Sequence, residues 1–344
     1  MMAKCFLRDG TIISDYGRPY MVSEVNSSHN GSIELAKQMI DASVEIGCDC
    51  VKFQSWSVES LYSKTYYDAN PISKRFVKKF SLSPEQLKEL AEYCKSKGIS
   101  FSSTPYSEEE VDFLVSECDV PYIKIASMEL NNPKFLRYIG EKHMPIILST
   151  GMSTFEEVDQ AVKVIHDSGI DQMVILHCVS VYPTILTNVN LNNIVGLRER
   201  FPMHPIGFSD HTEGDAAAIA AVALGAGVIE KHLTLDRRKV GMDNGMATEP
   251  PAFTELVNKC RDIQIAMGST ERLLIQQELD QRKNMRRSLV TTRDILEGET
   301  IREADLYAKR PGTGIAPNQI ESVVGKKATR NIMADTIVLP EDFQ

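Results

Sequence analysis

The sequence carries no excess of positive charge. Its 38 Lys and Arg stand against 47 Asp and Glu, a formal net charge of −9. Residues 285–344 hold nine of each sign, so residues 1–284, with 29 basic and 38 acidic side chains, carry the whole imbalance. Nucleic-acid binding needs a basic face that neutralises phosphates, and neither part supplies one. No polybasic stretch accompanies an amphipathic helix, which argues against docking on an anionic membrane surface. An anionic ligand must therefore be held by a local pocket and not by the overall field.

Paired cysteine motifs are missing as well. Cys5, Cys48, Cys50, Cys94, Cys118, Cys178 and Cys260 are odd in number, scattered, and never spaced as Cys-x-x-Cys. That pattern excludes a zinc or disulfide frame and suits reduced thiols in a cytoplasmic protein. The opening MMAKCFLRDGTIISD lacks an apolar core of signal-peptide length, so export is not expected. The longest small-and-apolar run, Ala216 to Ile229, is shorter than a bilayer span and is interrupted by Gly225 and Gly227. It reads as a buried helix passing into a strand. There is no low-complexity tract and no repeat longer than a strand-helix unit.

What is present is a globular composition, 42% hydrophobic and 25% charged over 344 residues. Short β-branched runs alternate with helix-period segments from residue 20 to about 268. The strand candidates are Tyr20–Val25, Cys50–Gln54, Ile99–Thr104, Tyr122–Ala126, Ile146–Ser149, Met173–Cys178, Ile206–Ser209 and Val228–His232. Helix candidates lie at about 33–46, 84–97, 108–117, 133–141, 154–168, 190–200, 213–224 and 252–267. Ser83 with Gln86, Ser107 with Glu110 and Ser153 with Glu156 each offer a hydroxyl cap answered three residues later, and Pro84 suits a first helical position. Eight strand-helix units with short connections imply parallel strands, right-handed crossovers and closure into a (β/α)8 TIM barrel over residues 1–268. One connection, Ser55 to Leu82, is about 28 residues long and holds Trp56, Tyr62, Tyr66 and Tyr67. Such a length suits a covering or binding element, or else a surface excursion with packed aromatics. Residues 269–284 read as a polar helical linker. Residues 285–344, with strand-like pieces Ser288–Thr291 and Thr336–Leu339, read as a separate small module that follows the α/β barrel.

Ionisable and hydroxyl residues gather at the carboxyl ends of the strands: Glu24 and Asn26, Lys52 and Gln54, Ser103 and Thr104, Lys124 and Ser127, Ser149 and Thr150, His177 and Ser180, Ser209 and His211, Glu230 and His232. In a closed barrel these ends surround the one mouth where such folds do chemistry. Lys52 and Lys124 sit inside otherwise apolar strands. A buried ammonium is costly without an anion, which a ligand phosphate or carboxylate would supply. An internal ion pair with Glu24 or Glu230, or a Schiff-base lysine, are the alternatives. Hydroxyls of Ser127, Ser149, Thr150, Ser180 and Ser209 could complete a phosphate cradle. His211 and His232 end neighbouring strands, where two imidazoles can share a divalent metal and leave positions open for oxygen ligands. His143, His166 and His204 read as hydrogen-bonding core residues.

The runs SEVNSSHNGSIELAKQMIDASVEIGCDCVKFQ, FSSTPYS, YIKIASMELNN, PIILSTGMST, LHCVSVYPT, IGFSDHT, ALGAGVIEKHLTLD and YAKRPGTGI resemble the sialic acid synthases in order and spacing. These enzymes condense phosphoenolpyruvate with an N-acylated mannosamine-type sugar. The last 60 residues resemble their antifreeze-like SAF domain. The resemblance implies that Lys52, Lys124, Ser127, Ser149, Ser180 and Ser209 hold phosphoenolpyruvate. It also implies that His211 and His232 bind Mn2+, with Mg2+ or Co2+ as the other choices, and that Glu24 orients a water. Gln54, Glu129, Tyr182 and Asp243 would meet the sugar. Arg310 would reach the sugar's N-acyl group across a domain-swapped homodimer. The implied chemistry is attack of the enol methylene on a metal-polarised aldehyde, then an oxocarbenium centre, addition of water, and loss of phosphate by C–O cleavage. The first acceptor it suggests is N-acetylmannosamine, giving N-acetylneuraminate. Rivals are the diacetamido sugars of legionaminic or pseudaminic acid, another metal-dependent aldolase, or a catalytically silent sugar-binding protein. The loop Asn26–Asn30 is one residue longer than the family pattern, and GMDNGMATEP departs from it around Asp243. Asp210 matches bacterial relatives that act on unphosphorylated sugars.

Overall fold

The computed structural model describes residues 2–344, which fall into two compact units, one ending at Gly268 and the other running Ser269–Gln344. The first begins with an antiparallel hairpin, β1 (Lys4–Phe6) and β2 (Ile12–Ser14), which the sequence pattern does not announce because each strand is three residues long. Cys5, Leu7 and Ile13 of this hairpin pack with Tyr20, Val22, Tyr122, Ile147, Val174, Leu176 and Val228. It plugs the end of the barrel where the strands start. A Cβ on Gly227 would lie 2.7 Å from the Ser14 carbonyl oxygen, so glycine is what lets the hairpin approach.

Eight parallel strands follow: β3 (Tyr20–Glu24), β4 (Cys50–Gln54), β5 (Ser100–Thr104), β6 (Ile123–Ile125), β7 (Ile146–Ser149), β8 (Met173–Cys178), β9 (Ile206–Asp210) and β10 (Val228–His232). Their order is β5-β4-β3-β10-β9-β8-β7-β6. The ring is nearly closed: β5 and β6 lie side by side, yet among the described residues no ladder joins them. The TIM-type barrel expected from the strand-helix alternation is therefore present, with a seam at this one position.

The helices are α1 (Ile33–Ile46), α2 (Val58–Leu61), α3 (Lys64–Ala69), α4 (Pro71–Phe80), α5 (Pro84–Lys97), α6 (Glu108–Glu117), α7 (Pro133–Gly140), α8 (Phe155–Asp167), α9 (Asn192–Arg200), α10 (Ala216–Ala223) and α11 (Pro250–Met267). The outward strand faces and the inner helix faces, with Met39, Leu90, Val111, Ile139, Ile165 and Phe253 among them, form one large buried cluster. The starts of α1, α2, α3, α5, α6 and α8 carry serine or threonine caps. Ser83 and Gln86 form a reciprocal box ahead of α5. At α8 the box uses Thr154 and Glu157, one residue later than the sequence suggests, because a threonine hydroxyl there meets the third helical N–H. At α6 the Ser107 hydroxyl accepts from Glu110 N–H, but the Glu110 carboxylate turns to Tyr106 N–H and Ser60.

The long connection after β4 is not an open loop. It folds as α2, α3 and α4, and Trp56, Tyr67, Val77 and Phe80 make their own small core with Val58, Leu61 and Tyr106 against it. Aromatic spacing too irregular for a single helix hides three short ones. His204 is buried and bonded to His166 at 2.9 Å, whereas His143 is exposed, against its reading as a core residue, because it sits in a turn with φ +53°.

In the second unit α12 (Gln276–Met285) precedes β11 (Ser288–Thr291), which pairs antiparallel with β12 (Leu306–Lys309). Leu289, Ile295, Ile301, Ile315, Val323, Ile332 and Val338 form its core. Thr336–Leu339, read as a strand, contributes only a single bridge, Ile337 to Val290. The ladder goes to Leu306–Lys309 instead, where only Leu306 is buried. All seven cysteines are free and buried. Among the described residues no helix is long and apolar enough to cross a membrane.

Candidate active site

Side chains alternate along a strand, so Glu24, Lys52, Lys124, Ser149, Ser209 and Glu230 point into the barrel while their neighbours face the helices. They meet at the carboxyl ends of the strands in a cavity of about 310 Å³. Gln54, Ser127, Ser180, Tyr182, His211, His232 and Asp243 line it as well. Two further residues named from the sequence stand outside this lining. Glu129, on the 3₁₀ turn Ser127–Glu129, is half-buried, accepts from Asn132 at 3.0 Å, and is not among the lining residues. Arg310 belongs to the second unit, where it is exposed.

At the centre four charges are buried together. Glu24 and Lys52 are cross-strand partners on β3 and β4, and the Lys52 ammonium contacts the Glu24 carboxylate directly. It also lies 3.5 Å from Glu230 and donates to Thr104 at 3.2 Å. Lys124 Nζ donates to Ser149 at 2.7 Å and lies 4.0 Å from Glu230. In the free protein, then, the internal ion pair is what neutralises Lys52. Burial opposes charge on every member. It raises Glu24, where the attraction of Lys52 does not outweigh it. It lowers Lys124, where repulsion from Lys52 adds to it and Glu230 only partly offsets. Burial opposes ionisation of Glu230 too, but the two ammonium groups together overcome it and hold this carboxyl low. Glu230, which the sequence offers only as a possible ion-pair partner, is the anion that both lysines share.

Beside Lys124 is a hydroxyl-lined recess. Ser127 accepts from Gly151 N–H at 2.9 Å, and a Cβ at Gly151 would overlap the Ser180 and Ser127 hydroxyls. The bare Gly151 backbone therefore lets Ser127 and Ser180 converge in the cavity that Lys124 and Ser149 also line. Such a set of donors matches a phosphate.

In the same cavity His211 and His232 stand close together, ring centroids 5.4 Å apart at 66°. His211 Nδ1 lies 2.8 Å from the Val179 carbonyl oxygen, so Nδ1 carries the proton and Nε2 keeps a lone pair. Burial, reinforced by His211, pushes His232 well below the usual imidazole range. For His211 burial acts downward too, but Cys178, the Val179 carbonyl and Glu230 reverse it and leave it raised. Tyr182 covers the pair, 4.1 Å from the His211 ring, and Asp243 Oδ2 lies 3.9 Å from His232 Nδ1. No group of three or more His, Cys, Asp or Glu among the described residues could hold a metal. The two imidazoles thus supply a partial donor set, which fits an oxygen-seeking divalent ion whose other positions are filled by water or substrate.

Several lining residues escape sequence reasoning. Tyr106 and Trp56 donate to Gln54 Oε1 at 2.6 and 3.0 Å, which turns the Gln54 amide so that its NH2 donates to Glu24 at 3.2 Å. The Asn26 side-chain amide donates to the Asp243 carboxylate, and the Asn26 backbone N–H donates to Glu24 Oε1 at 2.8 Å. Burial holds the Asp243 carboxyl above its ordinary range despite that contact. Met128, Met152 and Met242 complete the wall. The available signal was position: Trp56 and Tyr106 each stand two residues past a strand end.

The NeuB family model matches residues 39–272, and the SAF domain model matches residues 286–344. The chain belongs to the NeuB family. Among NeuB relatives, the N,N'-diacetyllegionaminic acid synthase of Legionella pneumophila is 37% identical over 94% of both chains. The human N-acetylneuraminate-9-phosphate synthase is 32% identical, covering 94% of this chain and 92% of that one. The solved N-acetylneuraminic acid synthetase of Leptospira borgpetersenii superposes with a TM-score of 0.76 at 28% identity, over 81% of this chain and 95% of that one. NeuB membership, the barrel and the SAF domain agree with the resemblance read from the motifs.

Proposed function

We propose that the protein condenses phosphoenolpyruvate with an N-acylated mannosamine-type sugar and water, releasing phosphate and a nonulosonic acid. One observation carries this reading. Two buried ammonium groups, a set of hydroxyls and a paired imidazole set line a single cavity. That is the layout needed to hold an enol phosphate against a polarised aldehyde.

Lys124, with Ser127, Ser149 and Ser180, holds the phosphate, and Lys52 exchanges part of its internal ion pairing for it. Ser209, 3.4 Å from Glu230, closes that end. His211 and His232 would hold a divalent ion, Mn2+ in our reading. When bound, the ion supplies positive charge where the aldehyde oxygen becomes negative. Glu24, whose carboxyl burial raises, takes a proton from the water that adds at the former enol carbon. Gln54, Tyr182 and Asp243 orient the sugar. Glu129 and Arg310 complete its binding, Arg310 from the partner in a domain-swapped homodimer, and the enzyme works in the cytoplasm.

For the acceptor a diacetamido sugar of the legionaminic type is favoured over N-acetylmannosamine. Met128, Met152, Met242 and Leu61 line the cavity, and methionines adapt to the methyl and acyl groups that such a sugar carries in place of a hydroxyl. The legionaminic likeness at 37% points the same way. Purified protein offered each acceptor with phosphoenolpyruvate and Mn2+ should release phosphate at least about 10-fold faster per kcat/KM with the diacetamido sugar, the value of one or two methylene-sized contacts. Faster release with N-acetylmannosamine reverses the assignment of acceptor. No release with any N-acylated mannosamine-type sugar refutes the function.

A further inference from the structure

Directly behind the two imidazoles lies a second buried ion pair that takes no part in the cavity. Asp210 and Lys231 are cross-strand partners on β9 and β10, and both are buried, with 0% and 1% exposure. Each immediately precedes one of the paired histidines, so it points outward, toward the helix layer, while His211 and His232 point inward. Lys231 Nζ donates to Asp210 Oδ2 at 2.6 Å and to the Thr212 carbonyl oxygen at 2.9 Å. Asp210 Oδ1 accepts from Thr212 N–H at 2.8 Å. The backbone is therefore held on both sides of His211, at residues 210 and 212, by the residue next to His232.

We infer that Asp210 and Lys231 are positioning residues for the metal-binding imidazole pair. The inference rests on the reading of His211 and His232 as metal ligands. The physical reason lies in the cost of the alternative. Two charges buried behind a sheet stabilise little beyond what well-packed apolar side chains of similar volume provide, and often less. The pair with its two extra bonds to Thr212 does what apolar side chains cannot: it sets direction, not only packing. β9 ends at Asp210. Beyond it the His211 carbonyl accepts from Thr184 N–H at 2.9 Å and a single bridge joins Thr184 to Thr212. The Lys231–Asp210–Thr212 clamp adds the hold from β10, the strand that carries His232. A site that must hold two ring nitrogens on one small ion tolerates only a fraction of an ångström of drift.

The test uses the full-length protein and Mn2+ alone, with free Mn2+ counted by electron paramagnetic resonance and stability read from thermal unfolding. Lys231→Met leaves Asp210 charged, buried and unpaired, and lowers the melting temperature. The double variant Asp210→Leu/Lys231→Met removes both charges. It should recover a melting temperature close to that of the unchanged protein while binding Mn2+ about 10–100-fold more weakly, the cost typical of losing residues that orient metal ligands. A double variant that binds Mn2+ as tightly as the unchanged protein overturns the inference. So does one that fails to fold, since the pair would then be a support of the barrel itself. If the unchanged protein shows no site for Mn2+, it is the functional reading that fails.

Discussion

Lys52→Met should lower the turnover by about 10²–10³-fold, the usual loss when one preorganised charge is taken from an active site, and weaken the fold at the same time. In the free protein Lys52 contacts Glu24 and lies 3.5 Å from Glu230. Without it two carboxylates share a buried site with Lys124 alone, which reaches only Glu230, at 4.0 Å. Breaking one side of a buried ion pair costs about 3–5 kcal/mol. Part of that is relieved when Glu24, whose carboxyl burial already raises, takes up a proton. Adding Glu24→Gln should therefore restore most of the stability in urea unfolding without restoring phosphate release. A single variant as stable and as active as the unchanged protein would show that the internal pair is incidental.

His232→Ala should weaken Mn2+ binding by more than about 100-fold, because loss of a residue that merely orients a ligand already costs about 10–100-fold. Phosphoenolpyruvate affinity should change by less than about threefold, since the proposed phosphate contacts are Lys124 and the serines around Gly151. Calorimetric titration with each ligand separates the two effects. At neutral pH stability should fall only by the cavity the ring leaves. Relative to the unchanged protein it should rise in acid, where folding keeps His232 neutral and the unfolded imidazole is protonated. A variant that loses phosphoenolpyruvate and keeps Mn2+ would exchange the roles given to the imidazole pair and to Lys124 with its serines.

Much of this arrangement is legible in the chain because a parallel barrel repeats one rule. Strand-helix alternation and strand-end polarity place Glu24, Lys52, Lys124, His211 and His232 on one rim. The parts that are not legible depend on tertiary partners. Three-residue strands such as Lys4–Phe6 carry no period, and α2 to α4 owe their helicity to packing on Trp56 and Tyr106. Whether Lys52 meets a ligand or Glu24 is decided by a cross-strand register. Nothing in the strand-end pattern singles out Asp210 and Lys231, whose pairing depends on the register of β9 against β10. Tyr106 and Trp56 orient Gln54 from segments 50 residues apart, a relation with no local signature.

The most direct test of the account is a crystal structure of the protein soaked with phosphoenolpyruvate and Mn2+. The phosphate should lie within hydrogen-bonding distance of Lys124 Nζ and the Ser127, Ser149 and Ser180 hydroxyls, with Lys52 turned from Glu24 toward it and Mn2+ on His211 and His232. Phosphoenolpyruvate bound outside the strand-end cavity, or Mn2+ on residues other than that histidine pair, would contradict it.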